Sequence, residues 1–215
     1  MISANISNII IDVKRAIDEN EEANNILAED IDQLQMDAII RSKIVDAVSY
    51  IHRVAPTSML EGISPNPFPT PGQVTGGQDG ACTIALPDDF MRLIIFQMND
   101  WKRPVVVPIS DTDPLYAMQG SDYIGIRGGV KKPVAVLTTS GGGKKILEAY
   151  STNSTNGKLI YIPIPTIQGT APNEYIQICT QLYQPVIYHC AGLVAMTYKN
   201  EIAKDLFEIA KSYIS

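Results

Sequence analysis

Histidine and cysteine are scarce in this 215-residue chain, and their spacing narrows what it can do. His52 and His189 stand far apart, and Cys82, Cys179 and Cys190 form no CxxC pair. Neither a zinc site nor a disulfide framework is expected, and unpaired cysteines fit a reducing cytoplasm. His189 and Cys190 are neighbours on a predicted helix, where their side chains diverge by about 100° and cannot grip one ion together. No basic segment followed by an apolar run opens the sequence, so no signal peptide is expected. The most apolar stretch, 182–198, contains Gln184, Pro185 and His189 and reads as a buried helix, not a membrane span. Basic charge is also in deficit. Seventeen Lys and Arg against 23 Asp and Glu give a net charge of −6, which does not favour tight, general nucleic-acid binding.

Sequence signatures of catalysis are equally thin. Ser140-Gly141-Gly142-Gly143-Lys144-Lys145 has the look of a phosphate loop, but GxxxxGK[ST] needs glycine at Thr138 and Ser or Thr at Lys145. A strand pattern follows it instead of a helix, so a hairpin tip is expected. Gly125, Gly128 and Gly129 do not fit GxGxxG. The carboxylate pairs Asp88-Asp89 and Asp111-x-Asp113 each adjoin a proline, Pro87 and Pro114, as turn residues commonly do. No cofactor, metal site or enzymatic activity is therefore expected.

What is present is ordinary globular composition, 45% hydrophobic and 19% charged, with clear patterning. Ile2, Ile6, Ile10, Val13 and Ile17 form a helical stripe, and a first helix should end near Glu19. Asp30 and Gln33 resemble a capping box for a second helix through about Val54, with Ile40, Ile44, Val48 and Ile51 on its apolar face. Pro56 ends it. Residues 61–80 hold four prolines and five glycines, which predicts a long loop: either an arm laid on a neighbouring subunit, with Pro65 and Phe68 as contacts, or a connector.

From 81 to 179 the pattern is β, with candidate strands at 82–86, 91–98, 103–109, 122–127, 133–138, 145–150, 158–163 and 174–179. Helical spacing returns in Leu182, Val186, Cys190, Leu193 and Thr197, where Pro185 is acceptable in a first turn. Asn200 is placed to cap a last helix with the stripe Ile202, Leu206, Ile209 and Tyr213. The expected fold is α+β: N-terminal helices 1–58 and C-terminal helices 180–215 joined in one bundle, with a loop arm and an antiparallel β sandwich or barrel-like domain, 59–179, inserted between them.

Charge is uneven along the chain. Residues 1–37 hold nine acidic and two basic side chains, whereas 127–158 hold six basic ones against Glu148. This asymmetry suits head-to-tail stacking, and equally suits two solvated faces.

The densest run is 86–104. It joins Leu86, Pro87, Asp89, Phe90 and Arg92, a continuous apolar strand, and the single tryptophan Trp101 followed by Arg103 and Pro104. Such a strand implies apolar cover on both faces, and Trp101 reads as a core or interface anchor, with base stacking as the alternative. Leu86-Pro87-Asp88-Asp89-Phe90-Met91-Arg92-Leu93 resembles a segment of the portal adaptor, or ring, proteins of short-tailed phages. Trp101-Lys102-Arg103-Pro104-Val105, Pro108-Ile109 with Pro114-Leu115-Tyr116, and Leu182-Tyr183-Gln184-Pro185-Val186-Ile187-Tyr188 with Ala191-Gly192-Leu193 are similar to segments of such proteins in crAss-like phages. The resemblance covers roughly 81–207.

It implies a structural virion protein at the portal–tail junction, assembled in the host cytoplasm. Such a protein is a ring, usually of about twelve copies, that docks on the portal and meets adjacent tail ring or nozzle proteins. It carries the DNA channel onward, lying near double-stranded DNA without reading it, and needs no membrane. The motif residues named above, with Pro114, Leu115 and Tyr116, are then interface candidates, and Lys144 and Lys145 are candidate partner or lumen contacts. Two other classes remain open: a carbohydrate-binding or fibre-associated β module, and a small hydrolase using Asp88 or Asp111.

Overall fold

The computed structural model describes residues 1–19, 33–73, 80–123 and 126–215. The chain is mixed α+β and divides into two compact units, one from 1–61 with 164–215 and one from 62–163. It begins with β1 (Ile2–Asn5), α1 (Ile6–Glu19) and α2 (Gln33–Val54). The second unit holds β2 (Pro71–Gln73), β3 (Cys82–Ala85), β4 (Phe90–Met98), β5 (Ile109–Ser110), α3 (Pro114–Met118), β6 (Ala135–Thr139), β7 (Lys145–Ala149) and β8 (Gly157–Pro163). The chain closes with β9 (Tyr175–Ile178), α4 (Tyr183–Thr197) and α5 (Ala203–Ser212).

In the first unit, the expected opening helix starts four residues late. Ile2–Asn5 pair antiparallel with β9, Ile2 opposite Ile178 and Asn5 opposite Tyr175. The Asn5 side chain accepts the Ser7 N–H at 2.8 Å, which caps α1 at its true start. The stripe that is buried is Ile6, Ile9, Val13 and Ile17, while Ile2 is exposed. In α2 the buried face includes Ile40, Ile44, Val48 and Ile51, and the helix stops before Pro56, whose ring excludes a further turn. Asp30 lies outside the described residues.

Helix α4 packs against α1, α2 and α5 and is buried at Val186, Ile187, Cys190, Ala191, Val194 and Ala195. Its Pro185 falls in the first turn, where a missing N–H loses no helical bond. A Cβ on Gly192 would lie 2.6 Å from the Phe207 ring, so glycine lets α5 approach closely. Asn200 accepts the Ile202 N–H at 3.0 Å, and α5 then buries Ala203, Leu206 and Ala210. Ile209 is only half-buried. Tyr213 is exposed but stacks on Tyr188 with centroids 5.9 Å apart.

In the second unit a five-stranded sheet runs β2-β3-β7-β6-β5, and β4 pairs with β8 in a separate antiparallel ladder. The five-stranded sheet is mixed, not antiparallel throughout as expected: β5 runs parallel to β6. The reason is α3, which lies on the long connection between them, and a parallel pair requires such a crossover. Residues 103–109 yield a Phe96–Val105 bridge and the two-residue β5. The expected strand 122–127 is absent: its described members Asp122, Tyr123, Ile126 and Arg127 form no strand. The strand predicted at 174–179 pairs with β1 in the first unit.

Both ladders share one apolar core, including Ile84, Phe90, Phe96, Met98, Leu147, Leu159 and Tyr161. The apolar run of β4 also has cover beyond this core. Ile63 exchanges two backbone hydrogen bonds with Tyr161, at 2.9 and 3.0 Å, and a Cβ on Gly62 would meet Ile160 and Ile94. The predicted arm therefore lies on its own unit where it is described. Phe68 packs against the shared core, Pro71–Gln73 pair with β3, and Pro65 is half-buried. Residues 74–79 lie outside the described residues.

Candidate interaction surface

The motif residues separate into a buried set and an exposed set. Leu86 and Phe90 are core, and Phe90 N–H donates to Pro87 O at 3.0 Å, closing the predicted turn. Asp89 accepts the Tyr161 hydroxyl at 2.9 Å. Burial, reinforced by that carboxylate, pushes the Tyr161 pKa up to about 12. Arg92 is half-buried in β4. Trp101 is 3% exposed, edge-on to Phe96 at 5.3 Å, with its indole N–H donating to Ser151 O at 3.2 Å. Buried this way, it is a core anchor and not available as an interface contact or a base-stacking platform. Arg103 and Pro104 are exposed.

The turn at 87–90 meets the β6–β7 hairpin. Leu86 N–H donates to Lys145 O, Lys144 pairs with Asp88 at 3.1 Å, and the Lys145 ammonium lies 5.5 Å from the Phe90 ring centroid. The tip itself is tight: Ser140 N–H donates to Lys144 O, Gly143 N–H donates to Ser140 O, and Gly143 has φ +79°. That conformation is the one glycine tolerates. The two lysines thus engage their own unit's turn, and β7 follows the glycines where a phosphate loop would need a helix.

Exposed apolar side chains concentrate in one segment. Val106, Val107, Leu115, Met118, Tyr123, Ile126 and Val130 are all exposed, Val107 at 77% and Tyr123 at 74%. Hydrogen bonds tie its described residues together. Asp113 caps α3 through the Leu115 N–H at 2.8 Å. The buried Gln119 donates to Leu115 O at 2.9 Å and accepts the Gly128 N–H at 3.0 Å. A Cβ on Gly128 would lie 2.7 Å from Val134, so this loop tolerates only glycine at its closest approach. Pro114 and Leu115 face solvent, whereas Tyr116 is half-buried and its pKa is raised by burial and by Glu148. Of the segment's exposed apolar side chains, the sequence motif singles out Leu115 alone. Val107 falls in the strand predicted at 103–109, and Tyr123 and Ile126 in the one predicted at 122–127, where a strand pattern implies burial that the structure does not give.

His52 and the three cysteines are held neutral by burial. His52 is buried, its Nε2 accepts the Cys179 N–H at 3.3 Å, and burial lowers its pKa to about 4. Burial pushes the Cys179 thiol up, Cys82 up to about 11 and Cys190 up to about 12, the reverse of what an activated thiolate requires. Asp88 and Asp89 turn to different partners, and Asp111 accepts the Thr138 hydroxyl at 3.2 Å. Among the described residues, no group of three His, Cys, Asp or Glu is placed to hold a metal ion, and no described helix is long and apolar enough to cross a membrane. No protein-family model matches the chain, and no curated protein sequence matches it.

Proposed function

We propose that this protein is a ring-forming head-to-tail connector of a short-tailed phage, docked on the portal and extending the DNA channel into the tail. The observation that carries the proposal is the segment 106–130, where seven of the described large apolar side chains are exposed and Asp113 and Gln119 hydrogen-bond the backbone. Exposed apolar groups held by backbone hydrogen bonds serve protein contact. The motif resemblance supplies the kind of contact, repeated copies around an axis.

The element order supports the same reading. In it, α1, α2, α4 and α5 are the helical bundle of the family, and 62–163 is its inserted β sandwich. The partners are further copies of the chain, the portal, and the next ring or nozzle protein. Electron microscopy of the purified full chain, alone and with a portal, tests this. A closed ring with a central channel is expected. A single-copy or fibre-borne position in the assembled particle overturns it.

A further inference from the structure

In the first unit, α2, α4 and α5 enclose a groove of about 730 Å³, lined by Tyr50, Val54, Leu193, Phe207 and Ile214 among others. Its size falls in the range of roughly 300–1,000 Å³ typical of sites that bury most of a small ligand. Tyr50 stacks on His189 with centroids 4.3 Å apart, and His189 stands 5.0 Å from Phe207. This gives the groove an aromatic wall. Lys204 and Lys211 line it together with Glu208 and Ser215, so two ammonium groups stand beside the apolar surface.

The second unit carries a feature of opposite character. Helix α3 sets Leu115 and Met118 three residues apart, hence on one face, 46% and 42% exposed. Asp111 and Asp113 precede them, Asp122 follows, and no basic side chain or histidine occurs from 104 to 126.

We infer that Leu115 and Met118 of one copy seat in the α2/α4/α5 groove of a second copy, with Asp111 and Asp113 facing Lys204 and Lys211. Charge selects this occupant: apolar side chains flanked by Asp111 and Asp113, for an apolar groove that offers two lysines. The two surfaces differ, so the contact is heterologous: it repeats from copy to copy and makes a ring where its rotation closes. The inference rests on the proposed ring and names the contact that makes it.

Disulfide trapping tests it. Full-length chains carrying Met118→Cys are mixed with full-length chains carrying Val54→Cys and oxidised, with wild type as control because the native cysteines are buried. Mixed disulfide dimers should exceed those from either variant alone about tenfold. Adding Lys204→Glu and Lys211→Glu, or high salt, should remove most of that excess. Rings or oligomers that form without the 54–118 link overturn this contact and leave the connector proposal standing. A link mainly between two 118 positions overturns it in favour of a symmetric contact. Chains that stay monomeric with and without portal, and give no link, overturn both.

Discussion

Lys144 and Asp88, 56 residues apart, form an ion pair of 3.1 Å that ties the glycine hairpin tip to the proline turn of the Leu-Pro-Asp-Asp-Phe motif. Both side chains are largely exposed, 68% and 84%, and an exposed pair contributes at most about 1 kcal/mol. Lys144→Glu with Lys145→Glu should therefore lower the unfolding temperature only slightly. If the tip docks on an acidic neighbour, the same variant weakens assembly, and salt weakens the wild type in the same direction. Sedimentation at two salt concentrations, alongside thermal unfolding, separates the two effects.

Trp101 and Val107 should behave oppositely. Trp101→Ala removes a ring packed on Phe96 and orphans the Ser151 carbonyl contact, a change that costs on the order of 3–5 kcal/mol. Val107→Ser alters an exposed side chain and should leave stability within about 0.5 kcal/mol. Under the connector proposal, Val107→Ser reduces assembly while Trp101→Ala reduces folding. Denaturant titration of both variants checks the first half, and oligomer yield checks the second.

These contrasts show what the sequence could and could not reveal. Ile40, Ile44, Val48 and Ile51 are buried as their spacing predicts, because a helix stripe is a local property. Ile2 to Ala4 escaped because Ile2 and Ile6 are four apart, so a strand leading into a helix imitates one longer helix. The parallel β5–β6 pair escaped because two residues carry no periodicity and its crossover contains Asp111 to Pro114, which reads as a turn. Trp101 and Leu115 sit in similar motif contexts, yet one is core and the other exposed. That difference is set by tertiary packing, which no short window contains.

Gly192 offers a test of the α4–α5 contact. An added Cβ would lie 2.6 Å from the Phe207 ring, so Gly192→Ala must displace Phe207 or shift α5. Overpacking of this kind costs about 1–3 kcal/mol, more than the helix propensity gained by replacing glycine. Thermal unfolding should fall accordingly. Deleting 200–215 should cost several kcal/mol, since Ile202, Ala203, Leu206 and Ala210 are all buried. An unchanged melting curve for the truncation would mean that α5 contributes nothing to the isolated chain.

His52 gives the chain a pH dependence of definite sign. Its folded pKa, about 4, lies below the ordinary 6.5 because burial disfavours the imidazolium. The unfolded chain therefore binds the proton more readily, and stability is full above about pH 6.5 and is lost as pH falls towards 4. The difference corresponds to roughly 3 kcal/mol at most. His189, also depressed by burial, adds in the same direction. Glu174 is held below its ordinary value by hydrogen bonding from Arg41, and its contribution is lost at lower pH, below about 4.5. Between pH 6.5 and 4.5 the histidines thus dominate. His52→Gln, which keeps an acceptor for the Cys179 N–H, should flatten the stability profile over that interval while leaving the fall below it. A profile that stays equally steep in His52→Gln would place the proton uptake on another group.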